Sequence, residues 1–96
     1  MRVSLHPRAR DEVEAAQAWY EERSVLAAAG FLHELSRSLR RIGEAPQIHP
    51  VVLHGTRRIV LERFPFNIFY RITGEEVVVV AVAHQKRRPG YWKARR

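Results

Sequence analysis

A run of seven apolar residues, Val77 to Ala83, places the strongest constraint on what this chain can fold into. Its length and its valine content predict a β-strand. Because successive side chains of a strand point to opposite faces of the sheet, both faces of this strand need apolar cover. We therefore expect it inside its sheet, with protein packed on each face. The run is much shorter than the ~20 residues of a membrane-spanning helix, so it predicts no membrane segment.

The first half of the chain offers two helices that fit one of these layers. The stretch from Arg8 to Glu22 has no Gly or Pro, and its apolar residues recur at helical spacing. A second amphipathic pattern runs from Ala28 to Ile42, with Ser24 as a break or cap before it. Gly43 and Pro46 are expected to end this helix. Two helices joined by so few residues predict an antiparallel helical hairpin.

Four strands complete the expected fold. Val3 and Leu5 alternate with polar residues and predict a short first strand. Arg57–Glu62 and Asn67–Ile72 precede the apolar run, and the short turns between these segments predict a meander. The first strand then pairs most simply with the apolar strand. The result is one α+β domain over residues 1–96, ordered β-α-α-β-β-β, with the helical hairpin on one face of a small, mainly antiparallel sheet.

The charge of the chain is concentrated in its second half. The chain has 17 Lys and Arg against 10 Asp and Glu, for a formal net charge of +7. Residues 1–48 are neutral overall, so the excess lies in residues 49–96. This asymmetry predicts a polyanionic or an acidic protein partner. The alternative is that the arginines reflect genome composition and solubility. The chain has no cysteine, which excludes a disulfide scaffold, a thiolate metal site and a cysteine nucleophile.

The segment after the apolar strand contains the residues best suited to chemistry. His84 is followed by three consecutive cations, and Tyr91 and Trp92 stand a few residues further on. An imidazole at a strand end suits acid or base catalysis, or simply a hydrogen bond to the backbone. The two aromatics suit base stacking on an open sheet face, or packing of the tail onto the domain. In the packing case we expect Lys93, Arg95 and Arg96 to remain exposed.

Metal-free RNA cleavage needs a proton acceptor, a proton donor and cations for the developing charge. Tyr91 would serve only if neighbouring cations lowered its pKa. The remaining histidines have no metal-ligand spacing, so the sequence predicts no metal site.

Two segments resemble toxins of the RelE/ParE superfamily from bacterial type II toxin–antitoxin systems. They are Arg63-Phe64-Pro65-Phe66-Asn67-Ile68-Phe69-Tyr70-Arg71, which leads into Val77 to Val82, and His84-Gln85-Lys86-Arg87-Arg88-Pro89-Gly90-Tyr91-Trp92. With the order of elements, the resemblance covers nearly the whole chain. It implies a cytoplasmic toxin without a cofactor, a metal or a membrane partner, held inactive by an antitoxin with an acidic or amphipathic tail.

The two branches of this superfamily imply different targets. The RelE-like branch cleaves mRNA on the ribosome without a metal, and His84, Arg87 and Tyr91 would then be the catalytic residues. The paired lysines of that branch are missing, since Lys86 and Lys93 are the only lysines here. The ParE-like branch inhibits DNA gyrase and has no nuclease site, and the sequence resembles this branch more. A non-toxic module that binds nucleic acid or an acidic protein remains a third alternative. The predicted target-binding residues are Arg57, Arg58, Arg63, Arg71, Lys86, Arg88 and Trp92.

Overall fold

The computed structural model describes residues 1–96 and confirms the predicted order of elements. The strands and helices are β1 (Arg2–Leu5), α1 (Pro7–Glu21), α2 (Val25–Glu44), β2 (Arg57–Val60), β3 (Phe66–Thr73) and β4 (Glu76–His84). The sheet order is β1-β4-β3-β2, with β1 parallel to β4 and the other pairs antiparallel. The apolar strand β4 therefore lies inside the sheet, between β1 and β3, as its composition predicted.

The ends of both helices follow local chemistry. Pro7 occupies the first turn of α1, and the His6 side chain accepts a hydrogen bond from the Arg8 amide at 3.0 Å. Ser24 caps α2 by accepting from the Ala27 amide at 3.1 Å, as predicted. The prediction that Gly43 ends α2 is wrong, because the helix continues to Glu44. It stops just before Pro46, which disfavours helical geometry in the residue ahead of it.

The helical hairpin packs against one face of the sheet, which we call the inner face. The side chains of Phe31, Leu35 and Ile42 on α2 are buried here, together with Ala9 and Ala16 on α1. The sheet contributes these inner-face residues: Ile59, Phe66, Ile68, Tyr70, Val77, Val79 and Val82. Burial of this apolar surface at about 25 cal/mol per Å² is the main stabilising term for the domain.

A bulge divides the apolar residues of β4 between the two faces of the sheet. Phe69 pairs with Ala81 and Tyr70 pairs with Val79, so Val80 has no partner on β3. Val79 and Val82 point to the inner face, whereas Val80 and Ala81 both belong to a second cluster on the opposite, outer face. Residues 77–83 of the strand are all apolar because both of its faces are covered, and the bulge sets which of them point to each face.

The C-terminal tail, residues 85–96, covers the outer face. Trp92 joins Phe69, Val80, Ala81 and Ala83 in the outer cluster. This confirms that the tail provides the second layer. Of the two alternatives for the tail aromatics, packing onto the domain is the one observed for Trp92, so the centre of the outer face is not open to base stacking.

The turn between β2 and β3 is fixed to α2. The carboxylate of Glu34 accepts hydrogen bonds from the backbone amides of Glu62 and Arg63. Gly30 allows the Phe64 ring to approach α2, since a Cβ at that position would lie 3.3 Å from the ring. Gly30 therefore serves the packing of this turn against α2.

Candidate functional site

The short first strand leaves part of β4 without a strand partner. β1 pairs only with Glu76 to Val79, so the Val80 carbonyl and the Val82 amide face an edge that β1 does not reach. Two charged side chains satisfy these groups. Glu12 accepts a hydrogen bond from the Val82 amide at 2.9 Å, and Arg95 donates to the Val80 carbonyl at 3.0 Å. Side chains thus replace a missing strand at this edge.

Glu12 also holds the tail against α1. Its carboxylate accepts a hydrogen bond from the Tyr91 hydroxyl and two from the Arg95 guanidinium, at 2.8 and 3.1 Å. The Glu12 and Arg95 side chains are 16% and 15% exposed, so solvent screens this pair only partly. We call Glu12, Tyr91 and Arg95 the tail clamp. Arg95, expected to be exposed, is instead the main ionic partner of Glu12.

The clamp changes the chemistry available to Tyr91. Burial raises the pKa of the Tyr91 phenol, and its hydrogen bond to Glu12 raises it further; the nearby Arg95 and Arg87 oppose this shift without cancelling it. The Arg87 guanidinium stacks on the Tyr91 ring, 3.8 Å from the ring centroid. A catalytic role for Tyr91 would need a lowered pKa, whereas its surroundings raise the pKa.

His84 is the last residue of β4, and its imidazole makes two contacts that help to hold the fold. Its Nδ1 accepts a hydrogen bond from the Lys86 amide at 3.1 Å, which shapes the turn that starts the tail. The imidazole also lies edge-on to Phe66, with 5.3 Å between ring centroids. The backbone contact expected from a strand-end histidine is present.

An open, mainly apolar groove of about 430 Å³ lies between α1, the end of β4 and the tail. Trp19 forms part of its apolar wall and is 53% exposed. The polar end of the groove contains Glu12, His84, Arg87 and Tyr91, so all three candidate catalytic residues line one surface. The other apolar lining residues are Ala15, Ala16, Tyr20, Pro65, Phe66 and Val82.

Trp92 is a core residue, with 1% of its surface exposed. Its ring lies 4.6 Å from the Phe69 ring and edge-on to His54, with 5.7 Å between centroids. The tail turns beside His54 at Gly90, whose φ is +79° and where a Cβ would lie 2.9 Å from His54 Nε2. A glycine is needed here both for the backbone angle and for the close approach.

The remaining predicted target-binding cations are spread over the molecule. Arg57 donates to the carbonyls of Gln47 and His49 at 2.9 and 2.8 Å and so fixes the loop after α2. Arg58 is exposed on the outer face of β2, and Arg63 is exposed in the β2–β3 turn. Arg71 extends across the outer face and donates to the Arg95 carbonyl at 2.9 Å. Lys86 and Arg88 are exposed at the start of the tail.

The sequence reasoning missed Glu12, although a signal for it was present. Ala9 and Ala16 are buried on α1, and Glu12 falls three residues after the first and four before the second. This spacing places Glu12 on the same helical stripe as the buried alanines. A carboxylate on a buried stripe needs hydrogen-bond donors, and Tyr91 and Arg95 supply them.

The helical hairpin, the mixed sheet and the docked basic tail define a RelE/ParE-type toxin domain. A family model described as the ParE toxin of the type II toxin–antitoxin system parDE matches residues 3–89, so the chain belongs to this family. A search of curated proteins finds no match. The fold is similar to a solved structure of the chromosomal ParDE toxin–antitoxin system from P. aeruginosa, with a TM-score of 0.77 and 18% identity, over 88% of this chain and 95% of that one.

No cluster of three or more His, Cys, Asp or Glu side chains is arranged to hold a metal ion. Neither helix combines the length and the hydrophobicity that crossing a bilayer requires.

Proposed function

We propose that this toxin inhibits DNA gyrase and is held inactive by a cognate ParD antitoxin. The observation that carries the choice of target is the state of Tyr91. Its phenol donates to Glu12, is partly buried and has a raised pKa. Together with membership of the ParE family, this favours a binding toxin over a nuclease.

RNA cleavage at this site would require groups that exchange protons near neutral pH. Tyr91 keeps its proton in the clamp, and Arg87 stacks on the ring and stays charged at any accessible pH. Glu12 also lies at the polar end of the groove, but its carboxylate already accepts from the Val82 amide, the Tyr91 hydroxyl and the Arg95 guanidinium. His84 is the remaining side chain there that could act as an acid or a base. A single imidazole supplies an acid or a base but lacks the partner that a general acid–base mechanism needs.

The target is tested by a paired measurement on the purified toxin. We expect the protein to inhibit DNA supercoiling by gyrase in vitro, and strong expression to arrest growth while transcripts stay intact. Primer extension on mRNA from a translating extract provides the parallel test for cleavage. Cleaved transcripts that depend on Arg87 and Tyr91, with gyrase unaffected, would contradict the proposal. Normal growth during expression of folded protein would instead favour a non-toxic binding module.

We further propose that the antitoxin places an amphipathic segment in the groove beside α1. Trp19 and Pro65 offer exposed apolar surface there, and the exposed cations Lys86, Arg87 and Arg88 lie beside it. A partner with apolar anchors and flanking acids is complementary to both features. Co-expression with the antitoxin should restore growth, and Trp19→Ala should weaken this rescue.

A further inference from the structure

A second cationic surface lies on the outer face of the sheet, away from the groove. Arg71, Lys93, Arg95 and Arg96 line a shallow depression of about 470 Å³, together with Thr73 and Val78. We call this surface the tail patch. It brings together cations from β3 and from the last residues of the tail, which the sequence separates widely.

The structure leaves most of this positive charge uncompensated. The only ion pairs in the molecule are Arg2 with Glu76, Arg23 with Glu22, and Arg95 with Glu12. Within the tail patch, only Arg95 thus has a carboxylate partner. Lys93 and Arg96 are exposed, and no acidic residue lines the depression.

Arg71 is positioned by the tail. Its Nη1 donates to the Arg95 carbonyl at 2.9 Å, and Arg95 is itself held by Glu12 and by the Val80 carbonyl. The guanidinium is half-buried, so much of the entropy of ordering it is already lost in the free protein. An anion that meets the patch therefore finds Arg71 already positioned and two exposed cations, Lys93 and Arg96, beside it.

The composition of the patch separates two classes of partner. Stable protein interfaces depend on aromatic or aliphatic anchors, and the tail patch offers only a half-buried Val78 because Trp92 is buried in the core. Phosphate contacts need cations and hydroxyl donors and no apolar centre. The tail patch, with its arginines, its lysine and the Thr73 hydroxyl, suits phosphate contacts. The groove beside α1, with its apolar wall, suits a protein partner.

We propose that the tail patch binds the phosphate backbone of duplex DNA, and that the toxin contacts the DNA on which gyrase acts through this surface. The site rests on the proposed gyrase target for its biological meaning, but DNA binding by the patch is measurable without gyrase. Lys93, Arg96 and Arg71 supply the contacts, while Arg95 serves mainly to position Arg71. Contacts of this kind carry no sequence preference.

The test is a salt titration of duplex binding by fluorescence anisotropy, using purified toxin and a labelled short duplex. The variant is Lys93→Gln combined with Arg96→Gln. The control is Arg37→Gln combined with Arg40→Gln, which removes the same charge from exposed positions on α2, across the sheet from the patch. Loss of two phosphate contacts lowers the slope of log K against log salt by about 2. Between about 50 and 200 mM salt, the wild type should thus lose about tenfold more affinity than the patch variant.

Equal losses in the patch variant and the control would mean general charge attraction and would overturn the site. So would unchanged duplex affinity in the patch variant with weakened antitoxin binding, which would assign the patch to an acidic protein. A gyrase assay on the same variants keeps the two proposals apart. If gyrase is inhibited and the patch variant binds DNA normally, only the inferred site fails. If the patch binds DNA and gyrase is unaffected, only the proposed target fails.

Discussion

At the scale of single residues, Glu12 joins three parts of the chain that are distant in sequence. Its carboxylate accepts from the Val82 amide, the Tyr91 hydroxyl and the Arg95 guanidinium. Glu12→Ala leaves these donors without their acceptor in a largely buried position. We expect a loss of about 3 kcal/mol in the free energy of unfolding, because unpaired buried donors and a broken buried ion pair are both costly. Urea denaturation followed by tryptophan fluorescence measures this loss.

The matched control for this prediction is Glu14→Ala. Glu14 is an exposed acid two residues further along α1, and its side chain makes no hydrogen bond or ion pair. We expect a change within about 0.5 kcal/mol. Tyr91→Phe should fall between the two variants, since it removes one donor and keeps the ring beneath Arg87. If Glu12→Ala and Glu14→Ala unfold at the same urea concentration, the clamp does not stabilise the fold.

The lowered pKa of His49 predicts that the free energy of unfolding depends on pH. Burial lowers the pKa of its imidazole, and the charges of Arg41 and Arg57 lower it further. Its Nε2 is buried without a hydrogen-bond partner, and the edge of the ring faces Tyr70. The unfolded chain therefore binds a proton at a higher pH than the folded chain does. His49 contributes stability above the unfolded pKa of about 6.5, and this contribution is lost as the pH falls through the folded value.

The comparison that isolates this effect uses His49→Phe, which keeps an aromatic ring against Tyr70 and removes the titration. Chemical denaturation at a series of pH values from about 7 to 5 should show a shallower decline in stability for this variant than for the wild type. His33→Gln replaces an exposed histidine and should retain the wild-type slope. Parallel slopes for wild type and His49→Phe would show that His49 protonates equally well in the folded state.

At the scale of elements, the tail is a structural layer of the domain. Trp92 is fully buried against Phe69 and the outer residues of β4, so removing its side chain leaves a cavity beneath the tail. We expect Trp92→Ala to lower the free energy of unfolding by about 3–5 kcal/mol. Trp19→Ala, which truncates a half-exposed tryptophan on α1, should cost much less. Urea denaturation of the two isolated variants, followed by circular dichroism, provides the measurement, because the antitoxin would add a binding contribution that Trp19→Ala itself changes.

The burial of Trp92 determines how changes in the tail should be interpreted. A truncation before Pro89 would expose the outer cluster and remove Tyr91 and Arg95 from Glu12. Loss of toxicity in such a truncation would then report loss of fold as much as loss of function. The exposed pair Lys93 and Arg96 separates the two, because replacing them leaves Trp92 and the clamp in place. Equal stabilities of Trp92→Ala and the wild type would reverse this conclusion.

The elements themselves were predictable where one local signal dominated. Val77 to Ala83 required cover on both faces, and that requirement gave the position of β4 and the role of the tail. The bulge at Val80 was not predictable, since a strand that is apolar at every position shows no alternation to interrupt. The end of α2 was predicted one residue too early, because the helix-ending signal of Gly43 was weaker than that of Pro46 three residues later.

The candidate site was predictable in part of its membership, without Glu12, and not in its chemistry. His84, Arg87 and Tyr91 do line one surface, as their closeness in sequence suggested. Burial under the folded tail raises the pKa of Tyr91, and the hydrogen bond to Glu12, 79 positions away in the chain, raises it further. Contacts of that range follow from packing, and no spacing rule in the sequence contains them.

At the scale of the whole molecule, charge and apolar surface are arranged separately. The helical hairpin carries the neutral half of the sequence, while the sheet and the tail carry the excess of ten cations over three acids. The apolar groove lies where these two halves meet, between α1 and the tail. Long-range attraction by the basic half should steer an acidic antitoxin toward the toxin, and the groove should retain it once bound.

This separation predicts that association and dissociation respond to different changes. Raising the salt concentration should slow association of the antitoxin and leave its dissociation rate nearly constant, because screening acts on the encounter of charged surfaces. Trp19→Ala should do the reverse and accelerate dissociation by about tenfold, since it removes an apolar anchor worth roughly 1–2 kcal/mol from the groove. Leu26→Ala is the control, as Leu26 is 84% exposed at the start of α2 and does not line the groove. Surface plasmon resonance with immobilised antitoxin resolves both rates, and a dissociation rate that is the same for wild type and Trp19→Ala would place the antitoxin elsewhere on the toxin.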